Sequence, residues 1–161
     1  MDMEYRKIVE VEFVEFDEYG LQKSWEWLND PEIKHLTSRS DFDRESQREW
    51  YDSLKTRDDY YVRTVSVLGR DKLIGVCGLK KINSKDAEMW GYIGEKSYWG
   101  ITIGPQMIQH LIEYGKCRNL ESLYFSCLKE NKILSKTASR FGFEYERDLN
   151  EKEIIMRIML T

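Results

Sequence analysis

Between residues 98 and 105 the chain reads Tyr98-Trp99-Gly100-Ile101-Thr102-Ile103-Gly104-Pro105, and directly afterwards Met107, Ile108, Leu111, Ile112 and Gly115 fall on one side of a helix. The first turn of a helix leaves backbone N–H groups unpaired and carries the positive end of the helix dipole. Glycines allow the backbone to close around an anion without a Cβ in the way, so this segment suits a pyrophosphate; a tight strand-to-helix turn with no ligand would carry the same letters. Two phosphate motifs are excluded. The strands before the segment read as a meander and not as a β-α-β unit, and no Gly-Lys-Ser/Thr follows.

Other chemistry-bearing side chains are few. The histidines are His35 and His110, neither placed to activate a nucleophile. Cys77, Cys117 and Cys127 are an odd number without paired spacing, which predicts free thiols in a reducing compartment, no disulfide framework and no metal site.

The elements that must position the glycine loop follow from hydrophobic period. Val9, Val11 and Phe13 alternate with Glu10 and Glu12 in a half-buried strand. Leu21, Trp25 and Leu28 share a helical face that stops before Asn29-Asp30-Pro31, and a second helix has Asp43 as N-cap with Trp50, Tyr51 and Leu54 inward. Runs over 60–68, 72–80 and 87–93 form a meander, with Gly69-Arg70-Asp71 turning the first pair. Pro105 then suits a helix start, and that helix ends near Asn119. A strand over 123–128, a helix over 130–140 closed by Gly142, and strands over 143–146 and 153–160 complete the chain. The prediction is a single α/β domain over residues 1–161 in the order β-α-α-β-β-β-α-β-α-β-β, with a mixed, mostly antiparallel sheet.

With 161 residues, 41% apolar and 34% charged, the chain has the composition of one globular domain with a core of its own. A net charge of -4 argues against binding nucleic acid through backbone phosphates and is compatible with a cationic acceptor such as an amine. The start, MDMEYRKIVEVEF, lacks the apolar run of a signal peptide or membrane span, so the expectation is a cytoplasmic protein without membrane attachment.

From Tyr92-Ile93-Gly94-Glu95-Lys96-Ser97-Tyr98-Trp99-Gly100, through the following helix, to Asn131 and Phe141-Gly142-Phe143, the sequence resembles the acetyl-CoA site of GNAT acetyltransferases. The resemblance extends over 27–145. It implies a GNAT-type sheet of about seven strands flanked by four helices. It also implies an N-acetyltransferase that moves an acetyl group from acetyl-CoA to a primary amine by direct attack. Acceptors across the resembling branches are small-molecule amines, such as amino sugars and polyamines, or a protein N-terminus; a homodimer is an assembly open to the chain. The family's usual loop is Arg or Gln, two residues, Gly, one residue, then Gly or Ala, and those positions hold Trp99, Thr102 and Gly104 here.

The resemblance assigns cofactor contacts to Trp99, Gly100, Ile101, Thr102, Ile103 and Gly104, and predicts that the strands on either side of the loop splay so that the pantetheine arm pairs near Ile93 and Gly94. Asn131 would contact the same arm, or serve only as a helix cap. Glu88 is the expected base, on the strand beside the loop. The tyrosine that often protonates the leaving thiolate is replaced by Ala138, with Ser135 a nearby donor. Thr102 and Ala138 also admit an alternative: a non-catalytic acyl-CoA-binding or regulatory module of the same fold.

Overall fold

A computed structural model describes residues 8–37, 43–100 and 102–160. Seven strands form one sheet in the order β1-β2-β3-β4-β5-β7-β6. They are β1 Val11–Glu15, β2 Tyr61–Val67, β3 Lys72–Lys80, β4 Asp86–Ile93, β5 Ser122–Leu128, β6 Glu144–Asp148 and β7 Glu153–Met159. Every neighbouring pair is antiparallel except β4 and β5.

Five helices, among the described residues, cover the sheet: α1 Glu18–Leu28, α2 Pro31–Leu36, α3 Arg44–Ser53, α4 Ile103–Cys117 and α5 Lys132–Phe141. The sequence reading had four. The additional helix is α2, whose N-cap Asp30 accepts from the N–H groups of Glu32 and Ile33 while Pro31 occupies its first turn. An Asp-Pro pair read as a stop signal is here a start signal, because proline's fixed φ and missing N–H suit the first helical turn. Within α1, Trp27 and not Trp25 joins Leu21 and Leu28 in the core. Pro105 sits inside the first turn of α4, which begins at Ile103.

Alternation along β4 divides the core. Ala87 and Met89 pack with Met107, Leu111, Phe125 and Phe143 on the α4–α5 side. Trp90 and Tyr92 pack with Trp27, Trp50 and Tyr51 on the α1–α3 side. Gly142, at φ 109°, ends α5 in the left-handed region as expected.

Gln106 ties α4 to the sheet edge: its Oε1 accepts from Val11 N–H at 3.1 Å and its Nε2 donates to the Val9 carbonyl at 2.7 Å. Further along α4, His110 stacks on Phe13 with ring centres 3.9 Å apart, and its Nε2 lies 2.8 Å from the Tyr61 hydroxyl. Burial first, and nearby Arg63 second, hold His110 below the ordinary histidine range. A depressed histidine favours its neutral form in the folded state, so its contribution to stability is present above about pH 6.5 and is lost as pH falls below that value. Urea unfolding at pH 7.5 and 5.5 should therefore show lower stability at the acid value, and His110→Gln should flatten that difference. An equal slope in both proteins would remove His110 as its source.

Candidate active site

The parallel pair is where the sheet opens. β4 and β5 share only the register Asp86↔Ser122, Ala87↔Leu123 and Glu88↔Tyr124. Beyond it, β4 stays with β3 as far as Gly75↔Ile93, and β5 stays with β7 as far as Leu128↔Glu153. Each strand keeps its antiparallel partner, and the parallel ladder, weaker per residue, gives way. The end of β4 is pulled further toward β3 by the N–H groups of Gly94 and Glu95, which both donate to the Ile74 carbonyl, at 2.7 and 3.2 Å.

A cavity of about 610 Å³ occupies this parting, inside the span of roughly 300–1,000 Å³ usual for small-molecule sites. It is lined from both faces of the sheet: Trp50, Tyr60, Glu88 and Trp90 on one, Gly91, Gly104, Met107, Asn131 and Leu134 on the other. Because Gly94 bonds to β3, alternation turns the N–H and C=O of Gly91 and the N–H of Ile93 toward the gap. The Ile93 carbonyl accepts from Trp99 Nε1 at 2.9 Å. The open backbone therefore centres on Gly91, two residues before the pair that the resemblance singled out. A side chain on Gly91 would meet Met107 Cε at 2.9 Å and Cys77 Cβ at 3.0 Å, so glycine is needed there for packing.

Gly94 has a structural task. An added Cβ would lie 2.0 Å from Trp27 Cδ2, and the Trp27 indole, seated over this glycine, donates to Glu95 Oε2 at 2.7 Å. Gly94→Ala is expected to destabilise the fold by about 3 kcal/mol through overpacking, read as a fall in the urea midpoint. A midpoint like that of the wild type would show that the tryptophan does not pack there. Lys96 extends the same attachment by pairing with Asp30 at 2.9 Å and Glu32 at 3.0 Å. The hydrogen bond from Lys96, backed by the N–H groups of Ile33 and Glu32, holds the Asp30 carboxyl below its usual range.

At the mouth of α4, Thr102 is the N-cap but makes no capping bond, and its Oγ1 is buried without a partner. Its carbonyl accepts from Gln106 Nε2 at 2.7 Å. A Cβ on Gly104 would meet nothing within 4 Å, nor would one on Gly100, whose φ of 79° suits glycine. With Pro105 lacking an N–H, the helix mouth offers the amides of Ile103 and Gly104. Ile101 lies outside the described residues.

Asn131 Oδ1 accepts from Leu134 N–H at 3.3 Å, so the capping role is present, and the side chain also lines the cavity. Ala138 is fully buried in the core. The adjacent Ser135 spends its hydroxyl on the Lys132 carbonyl at 3.3 Å. Glu88 retains 14% side-chain exposure, with Lys81 Nζ 3.4 Å from Oε1 and Lys80 Nζ 3.8 Å from Oε2. Cys127 packs into the α4–α5 side, where burial pushes its thiol up to about 11, and burial raises Cys77 to about 12. Neither thiol is a nucleophile near neutral pH. His35 does not line the cavity; it bonds Glu130 at 2.6 Å and links the end of α2 to the turn before α5.

Sequence reasoning missed Trp90, Gly91, Ser126 and the Leu36-Thr37 end of α2, which all line the cavity. The available signal was a glycine inside an otherwise regular strand, which marks a place where something approaches the backbone closely.

Residues 11–144 match the family model for the acetyltransferase (GNAT) domain. The chain belongs to the GNAT acetyltransferases. No curated protein matches it in sequence. Among solved structures, spermidine N-acetyltransferase from Vibrio cholerae, in complex with CoA and spermine, is 18% identical at a TM-score of 0.85, covering 93% of this chain and 95% of that one. A domain from Methanocaldococcus jannaschii is 17% identical at 0.83, covering 94% and 99%. The Campylobacter jejuni N-acetyltransferase PseH, in complex with acetyl coenzyme A, is 15% identical at 0.72, covering 94% and 100%. These likenesses are of fold. The cavity opens in this sheet where β4 and β5 part.

Two further observations bear on surroundings. No described helix is long and apolar enough to cross a membrane. Among the described residues, no group of three His, Cys, Asp or Glu side chains is arranged to hold a metal ion.

Proposed function

We propose that the chain transfers the acetyl group of acetyl-CoA to a primary amine by direct attack within a ternary complex. The observation that carries this reading is the cavity at the parting of β4 and β5, whose lining takes in Gly104 at the α4 mouth, Glu88, and the rings of Trp50, Tyr60 and Trp90. Acetyl-CoA supplies the activated acyl group as a thioester. The empty space over Gly100 and Gly104 and the unpartnered Thr102 hydroxyl fit a pyrophosphate ester. Trp99, Ile101 and Ile103 complete that loop, and the Ile93 N–H, Gly91 and Asn131 would hold the arm that leads inward.

An aliphatic amine has a pKa near 10 and reaches the site as an ammonium, so a proton must leave before attack. Glu88 would take it, its carboxylate oriented by Lys80 and Lys81. As the C–N bond forms and the C–S bond breaks, the leaving sulfur gains its proton from solvent or from the amine nitrogen, since Ala138 offers none. The acceptor is a small-molecule amine, amino sugar or polyamine, or a protein N-terminus.

Thr102 and Ala138 favour a second reading, a module that binds acyl-CoA without turnover. A screen of amines for acetyl-CoA-dependent product mass, with free thiol measured in parallel, separates the two. Product from any amine supports transfer; coenzyme binding without product from any amine supports the module.

A further inference from the structure

We infer that the acceptor is a monoamine carried on an uncharged, oxygen-bearing ring held against Trp50, Tyr60 and Trp90, and that polyamines are turned away. This rests on the acetyl-transfer reading above and narrows its acceptor.

On the α1–α3 side a second cavity of about 200 Å³ adjoins the main one, and the two share Trp50, Trp90 and Tyr92. No charged side chain lines this chamber among the described residues. Its polar groups are neutral: Gln47 Nε2 donates to Ser24 Oγ at 2.9 Å, and Ser24 donates to the Leu21 carbonyl at 2.8 Å. Flat aromatic walls suit a ring, which covers them without losing rotamer freedom.

Charge points the same way. Glu88 already faces two lysines. The other acidic lining residue, Glu153, pairs with Leu128 at the far end of β5 and accepts from Asn150 at 2.9 Å. Among the described residues no further carboxylate lines the aromatic side to meet a second ammonium, as in a polyamine, and burying an unpaired cation is strongly unfavourable.

The oxygen on the ring follows from Trp90. Its Nε1 is buried without an acceptor, one of two such side-chain atoms among the described residues; the other is Thr102 Oγ1 at the coenzyme loop. Buried donors are nearly always paired, so the orphan on Trp90, a residue that lines both cavities, marks a place that a ligand completes. The indole nitrogen is sealed from solvent and its ring, packed over Gly78, lines the chamber, so meeting an acceptor oxygen requires the Trp90 ring to turn as the acceptor enters. A hydroxyl or ring oxygen meets this need at no charge cost.

The test uses the full chain. Calorimetry first establishes acetyl-CoA binding, and then kcat/KM is measured for glucosamine, tyramine, phenethylamine and spermidine. The expected result is that glucosamine or tyramine exceeds spermidine by about tenfold or more, the better of the two telling sugar from aryl acceptors. Trp90→Phe keeps the ring and removes the donor. It should raise KM for the preferred oxygenated amine by about tenfold more than it raises KM for phenethylamine, with acetyl-CoA affinity as the check that the variant is folded. Gln47→Glu places a carboxylate in the chamber and should move the spermidine-to-ring preference toward spermidine by about tenfold, which keeps the test available should the tryptophan variant not fold. Spermidine as the best wild-type acceptor, an equal effect of Trp90→Phe on all amines, or an unmoved preference in Gln47→Glu would each overturn the inference while leaving acetyl transfer intact. Acetyl-CoA binding without acetylation of any amine would remove both.

Discussion

Valine in place of Gly104 is expected to weaken acetyl-CoA binding by about 100-fold, or about 2.7 kcal/mol, with the fold intact. The two halves of that expectation come from one observation. A Cβ at this position meets nothing within 4 Å, so the free protein accommodates the side chain. Glycine inside a helix is the poorer helix former, and replacing it with valine changes stability by less than about 0.5 kcal/mol. A ligand that fills the space over the helix mouth would collide with the valine methyls. Calorimetric titration with acetyl-CoA, beside a urea unfolding curve, reads both quantities. Affinity within twofold of wild type would mean that the α4 mouth is not where the coenzyme's phosphates bind, and affinity lost together with stability would leave packing as the explanation.

Glu88→Gln is expected to lower the rate of acetyl transfer by about 100-fold or more at neutral pH, in keeping with the usual contribution of a positioned base. The deficit should shrink as pH rises toward the acceptor's own pKa near 10, because the amine then arrives neutral and the base is not needed. The substitution preserves shape and leaves Lys80 and Lys81 without their anionic partner, so acetyl-CoA affinity is the control that separates lost chemistry from a disturbed site. A rate deficit that stays constant across the pH range would take Glu88 out of proton removal and leave it a positioning role.

The elements that were legible in the sequence are those whose residues state their own geometry. Alternation gave β1 and the meander; the glycine-rich loop before α4 and Gly142 after α5 announced their helix ends through backbone conformations that few residues adopt. What the letters hid was long-range. The Asp30-Pro31 pair starts α2 because Asp30 caps it, a local signal open to two readings, and because Lys96, far along the chain, braces it, which only the fold reveals. Gly94 matched the family motif, yet its environment is the Trp27 ring, and the backbone open to the gap runs from Gly91, which the motif does not include, to the N–H of Ile93, which it does. Trp90 is one aromatic among many in the sequence; its unpartnered nitrogen exists only once α1 and α3 have closed over the sheet.

The parting of β4 from β5 also divides labour along the chain. The aromatic wall comes from segments up to Tyr92, and the coenzyme loop together with α4 and α5 from segments after Glu95. On the function proposed above, the acceptor is held by segments up to Tyr92 and the coenzyme's phosphates by segments after Glu95, the arm meets both at Gly91, Ile93 and Asn131, and the two parts are joined by a short register of backbone pairs and by the Trp27–Glu95 and Lys96–Asp30 bridges. A lineage could exchange one amine for another by redrawing α1–α3, provided those two bridges are kept.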